Sequence, residues 1–271
     1  MSSEERVIRS NQPDDGSGPT LPPEHAAILA SIPVPEGARI QAGPVSYRHD
    51  ETELEGYLAR DAARGGTRPG VLIVHDWTGV GPNVQMRAHM LARLGYVALA
   101  ADVYGAGVRP TGDAASALAG EFYGNLPLLR ARVAAGFDQL VATEGVDSER
   151  IVVIGYCFGG SAALEFARTG ANARGIVSFH GGLISHDPSD ADAIRASLLI
   201  LTGGADPVVP DDAIAAFSDE LRAAPHVQWE LTVYGGAPHA FTVPGSDRYR
   251  PIADARSWRR LVGFLDEVLG A

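Results

Sequence analysis

The sequence predicts an α/β fold, a mostly parallel central sheet of about eight strands with helices on both faces. Three observations carry this. Short, continuous apolar runs recur from residue 70 to residue 233, the pattern of strands buried on both faces. Segments with helical spacing alternate with them. Clusters of Gly, Pro and Asp punctuate the junctions.

The elements follow in order. Residues 1–40 are rich in Pro, Ser, Asp and Gly and read as an N-terminal arm, with one short helix available over residues 23–32. Residues 41–271 read as a single domain. Residues 45–49 and 53–59 alternate across an acidic turn, which predicts an antiparallel hairpin. Residues 70–75 (GVLIVH) form the first buried strand. Val84, Met90, Leu91 and Leu94 give residues 81–94 a helical period, stopped at Gly95. Residues 96–101 are the next strand, and residues 102–126, without strong period, read as a loop or cap over a site. A helix over 128–143, a strand over 150–155 (RIVVIG) and a small-residue helix over 159–168 follow. Residues 174–179, 198–202 and 227–233 supply three more strands, and residues 257–269 a terminal amphipathic helix. Asp211 and Asp212, after Pro210, read as helix N-cap residues.

Composition narrows the function. The 271 residues are 45% hydrophobic, enough for one sizeable core. A net charge of −11 disfavours nucleic acid and anionic lipid as partners. The chain has one cysteine, so no intrachain disulfide forms, which fits a reducing cytoplasm. The N-terminal residues lack an apolar signal core, and no run of about 18 apolar residues suggests a membrane span. No HxH or HExxH spacing occurs, so neither metal nor cofactor is expected.

The sharpest local signal is Gly155-Tyr156-Cys157-Phe158-Gly159-Gly160, between a buried strand and a helix. A nucleophile elbow needs that context: a tight turn with small flanking residues, the central residue projecting at the helix N-terminus. There the helix dipole and free amides favour a thiolate. A buried structural cysteine would fit the same turn. A dinucleotide fingerprint would not, because the glycines do not make GxGxxG. Two later loops complete a nucleophile–acid–histidine order. Asp206 follows the strand over 198–202, in Gly203-Gly204-Ala205-Asp206-Pro207, and His239 follows the strand over 227–233, in Gly235-Gly236-Ala237-Pro238-His239. Groups at the C-terminal ends of parallel strands gather at one edge of the sheet. His75 and His180 also end strands, beside the expected site, but fall in the wrong place in the order.

These motifs, with His75-Asp76-Trp77-Thr78-Gly79-Val80, Ala101-Asp102-Val103-Tyr104-Gly105, Ser178-Phe179-His180-Gly181-Gly182 and His239-Ala240-Phe241, resemble the dienelactone hydrolase family. The cysteine in the elbow followed by Phe-Gly-Gly is the most specific part. The resemblance covers residues 43 to 271 and implies an α/β-hydrolase fold with Cys157 as nucleophile, Asp206 as acid and His239 as base. It also implies an oxyanion hole from the Trp77 and Phe158 amides, and a support for the resting cysteine at Asp76, where relatives typically carry Glu. Enzymes of this resemblance acting on dienelactone use two arginines for its carboxylate. One of those positions is Val243 here. The other is matched loosely by Arg109, which follows Tyr104 by five residues.

The sequence therefore predicts a hydrolase of carboxylic esters or lactones, acting through a thioester acyl-enzyme, with Arg109, Tyr104 and Val243 near the substrate and a preference for neutral esters. Its expected partner is a small-molecule ester or lactone, and its expected state a monomer or homodimer. The alternatives are a carboxymethylenebutenolidase acting on dienelactone itself and, from other classes, a thiol-based redox or detoxification protein or a non-catalytic binding module.

Overall fold

The computed structural model of the chain describes residues 20–184 and 186–270. Its strands are β1 (Ile40–His49), β2 (Thr52–Asp61), β3 (Arg68–Val74), β4 (Val97–Ala101), β5 (Val146–Tyr156), β6 (Gly175–Phe179), β7 (Ser197–Gly203) and β8 (Trp229–Tyr234). They form one eight-stranded sheet in the order β1-β2-β4-β3-β5-β6-β7-β8. The β1–β2 hairpin joins antiparallel to β4, and every pairing from β4 to β8 is parallel. Helices α1 (Pro23–Ala30), α2 (Pro82–Arg93), α3 (Gly112–Tyr123), α4 (Leu126–Val141), α5 (Phe158–Ala167), α6 (Asp211–Ala223) and α7 (Pro251–Leu269) cover it.

Strand periodicity splits the apolar residues between two cores. Leu72 and Val74 of β3, with Ile151 and Val153 of β5, enter the core under α4, α5 and α6. Their neighbours Val71, Ile73, Val152 and Ile154 enter the opposite core, under α2 and α7. Successive strand side chains point to opposite faces, so a continuous apolar run is what a doubly covered strand requires.

The strand order positions the site. From β3 the chain moves to β4 on one side, then returns to β5 on the other. The loops after β3 and β5 therefore leave the same sheet edge in opposite directions, and a crevice opens between them. Asp76 and Trp77 lie in the first loop and Cys157 in the second.

The structure corrects some local expectations. Residues 102–126 are not simply a loop, because α3 occupies Gly112–Tyr123. Its buried face is Ala115, Ala119 and Phe122, a helical period carried mainly by alanine, which forms helices well but contributes little to a hydropathy pattern. Pro210, not Asp211 or Asp212, takes the N-cap position of α6, and both acids sit in its first turn. Of the arm, residues 1–19 lie outside the described residues. Residues 23–30 form α1, which packs on α2: Leu29 is buried, and Nη1 of Arg93 donates to the carbonyls of Leu29 and Ile32, each at 2.7 Å. Packing thus begins before residue 40. No helix among the described residues is long and apolar enough to cross a membrane.

Candidate active site

Cys157 sits at the junction of β5 and α5 with φ 54° and ψ −116°. A non-glycine residue rarely adopts positive φ, at a cost of about 1–3 kcal/mol, and holds it only where neighbours over-determine it. Here they do. The Cys157 N–H donates to Phe179 O at 2.9 Å, and its carbonyl accepts from Gly160 N at 2.9 Å and Ser161 N at 3.2 Å. The small residues predicted around it are required. A Cβ on Gly159 would run into the backbone carbonyls of Val74 and His75, and one on Gly155 into the backbone of Gly159.

Three predicted residues meet in a continuous chain of hydrogen bonds. Sγ of Cys157 lies 3.0 Å from Nε2 of His239, and Nδ1 of His239 lies 2.9 Å from Oδ2 of Asp206. The other oxygen of Asp206 accepts from Val208 N at 2.8 Å, so both carboxylate oxygens are engaged and their direction is fixed. Asp206 and His239 are buried and Cys157 is half-buried, its sulfur side reaching a cleft of about 710 Å³. Burial alone would lower the His239 pKa. The hydrogen bonds from Asp206 and Cys157 outweigh it and raise the imidazole to about 9.

That shift has a stability consequence. The folded value lies above the ordinary histidine value of 6.5, so protonated His239 stabilises the fold fully below pH 6.5. The contribution is lost as pH rises through about 9. Denaturant midpoints measured from pH 6 to 10 should fall over that window for the wild type and less for His239→Gln. Parallel curves for the two proteins would refute the coupling.

Trp77 and Phe158, the residues whose amides the resemblance implies as the oxyanion hole, both line this cleft. Phe158 N is in the first turn of α5, where amides have no intrahelical acceptor. Trp77 N donates no hydrogen bond among the described residues. The loop carrying Trp77 is held on three sides. Oδ1 of Asp76 accepts from the amide and hydroxyl of Thr78, Nδ1–H of His75 donates to Asp76 O at 2.6 Å, and Tyr104 OH donates to Trp77 O at 3.2 Å. Val103 N donates to Nε2 of His75, which sets that tautomer.

The remaining predicted residues divide. Asp76 and Val243 line the cleft with Trp77, Tyr123 and Val208. Asp76 is tied to Thr78, and the Cys157 sulfur pairs with His239 and not with Asp76. Tyr104 does not line the cleft. It is buried among His75, Phe122 and Phe158, and supports the Trp77 loop from behind. Arg109 is not there either. Its guanidinium donates to the carbonyls of Val80, Val108 and Glu55, and its Nη1 lies 3.9 Å from Asp102. His75 and His180 are wholly buried behind the site rather than in its wall. The cation that does line the cleft is Arg248, beside Asp247, and sequence reading missed it: the segment PGSDRYR has no period and no motif. Arg248 is exposed and makes no hydrogen bond or ion pair among the described residues. Also among them, no group of three or more His, Cys, Asp or Glu side chains has the arrangement of a metal site.

Known proteins share this architecture. A structure described as a dienelactone hydrolase-like promiscuous phosphotriesterase from metagenomic libraries is 36% identical, with a TM-score of 0.81 over 86% of this chain and 99% of that one. A Bradyrhizobium protein named "Probable 2-oxo-3-(5-oxofuran-2-ylidene)propanoate lactonase" is 30% identical over 222 residues, 77% of this chain and 87% of its own. A Salmonella typhimurium protein named "Putative carboxymethylenebutenolidase" is 28% identical over 252 residues, 88% of this chain and 92% of its own. The family model for the dienelactone hydrolases matches residues 54–269, which takes in the loops that carry Cys157, Asp206 and His239. With this match and the α/β-hydrolase strand order, the chain belongs to the dienelactone hydrolase family.

Proposed function

We propose that this protein hydrolyses carboxylic esters or lactones with Cys157 as nucleophile, His239 as general base and acid, and Asp206 as the group that orients His239. The carrying observation is the unbroken Asp206–His239–Cys157 chain at a cleft that Trp77 and Phe158 also line. His239 takes the thiol proton, and Asp206 holds the imidazole in the tautomer that can do so. The sulfur attacks the carbonyl carbon, and the carbonyl electron pair moves to oxygen, where the Trp77 and Phe158 amides stabilise it. The C–O bond then breaks, and the leaving alkoxide takes the proton from His239. Water, giving its proton to His239, attacks the thioester and releases the acid and the thiol. All these residues come from one chain, so a monomer or a homodimer suffices. The single cysteine must stay reduced, which fits a cytoplasmic setting.

The cleft favours neutral substrates. Trp77, Tyr123, Val208 and Val243 give it apolar walls, and the Asp76 and Asp247 carboxylates there oppose an anionic ligand. A neutral ester should show a higher kcat/KM than its carboxylate-bearing analogue, and Arg248→Ala should change that ratio less than about threefold. A tenfold advantage for the acid, lost in Arg248→Ala, corresponds to about 1.4 kcal/mol and would establish the second reading, a dienelactone-type acid held by Arg248. Exposed, unpaired Arg248 is the observation that keeps that reading open. The same comparison should include a neutral phosphotriester, the substrate class in the description of the 36% identical structure.

A further inference from the structure

The peptide N–H of Cys157 has a second acceptor besides Phe179 O. Nδ1 of His180 lies 3.2 Å from it. A backbone amide can only donate, so this Nδ1 carries no proton and the ring proton sits on Nε2. That Nε2–H donates to Oγ1 of Thr242 at 2.7 Å. Thr242 is held in turn, because its carbonyl accepts from Nη2 of Arg87 at 3.1 Å, and Arg87 is bound to Asp254 at 2.6 Å. His180, Thr242, Arg87 and Asp254 are all buried. The relay thus runs from α7 through α2 and the loop after His239 to the main chain of the nucleophile.

We propose that His180 is a positioning residue: locked as the Nε2–H tautomer by Thr242, it fixes the Cys157 peptide and so aims both Sγ and the Phe158 amide. This rests on the reading of Cys157 as nucleophile and Phe158 as oxyanion donor. Cys157 keeps φ 54° only while both its flanking peptides are pinned. Gly160 and Ser161 pin the carbonyl side. Because the peptide is planar, the Phe158 N–H lies in the plane of that carbonyl and points the opposite way. Phe179 O and His180 pin the amide side. Loosening it frees rotation about the Cys157 N–Cα bond, which moves the sulfur away from Nε2 of His239. The neutral ring that the geometry requires is also the favoured one. Burial pushes His180 well below the ordinary histidine range, and the adjacent His239 ring, 5.4 Å away between centroids, acts in the same direction.

The test uses the full chain, a p-nitrophenyl ester and two pairs of substitutions. His180→Asn keeps an acceptor near Nδ1, whereas His180→Gln moves its amide toward Nε2. The Asn variant should retain kcat within about fivefold of wild type, and the Gln variant should lose at least about tenfold more, with KM little changed in either. Asn also tolerates positive φ better than Gln, and His180 has φ 42°, so the second pair is placed at Thr242, which does not share that conformation. Thr242→Val should lower kcat at least about fivefold, and Thr242→Ser should restore it. The inference is overturned if Asn performs no better than Gln, if Thr242→Val matches wild type, or if the losses appear in KM instead of kcat. Cys157→Ala, run alongside, separates the two levels of argument: turnover that survives it refutes the nucleophile itself, whatever the His180 variants do.

Discussion

Cys157→Ala should lower ester kcat by about a thousandfold or more, and His239→Ala by a similar factor, with the double variant little worse than either. Members of such a chain act as a unit, because a nucleophile without its base, or a base without its nucleophile, leaves only binding and oxyanion stabilisation. The geometry makes this strict. The imidazole is the hydrogen-bond partner of the sulfur, and its other nitrogen is taken by Asp206. Asp206→Asn should hurt severely but less, since an amide can still fill the site while favouring the wrong tautomer. The measurement is steady-state turnover of a p-nitrophenyl ester, with circular dichroism to show that each variant folds. Additive losses, the double variant falling by the product of the singles, would mean that Cys157 and His239 serve separate functions.

Gly159→Ala should cost the fold itself, by roughly 3 kcal/mol or more. The added Cβ has no side chain to push aside. It meets the carbonyl oxygens at the end of β3, in the main chain between Val74 and His75, so strand and helix must separate. For a domain of this size that is a fall in melting temperature of about 6–12 °C or more. Gly120→Ala is the control, because a Cβ there meets nothing within 4 Å on the exposed side of α3. Equal melting temperatures for Gly159→Ala and wild type would show that the elbow is looser than the close approach implies.

Much of the candidate site's geometry was legible because each proposed catalytic residue sits in a loop that the strand pattern brackets. Cys157, Asp206 and His239 each follow an apolar run directly or within a few residues, and parallel strands deliver such loops to one edge. The order in which those strands pair was not legible, since β3 and β4 are equally apolar and nothing local says which is central. Side-chain direction was not legible either. Arg109 stands near the Tyr104 motif in sequence, yet its guanidinium finds three carbonyl acceptors away from the cleft. Arg248 reaches the cleft only because the segment between β8 and α7 folds back over it. His180 looked like any histidine after a strand, and what distinguishes it is a contact with the main chain of a residue 23 positions away.

The tie between Asp254 and Arg87 also bears on the order of events during synthesis. Cys157, Asp206 and His239 have all been synthesised by residue 239, but Asp254 belongs to α7, and through Arg87 it braces Thr242, three residues beyond His239. A nascent chain stalled before residue 251 therefore carries all three proposed catalytic residues and still lacks the brace behind them. In the proposed mechanism, hydrolytic competence should appear only after α7 has left the ribosome and docked, so turnover reports that docking more strictly than helix content does.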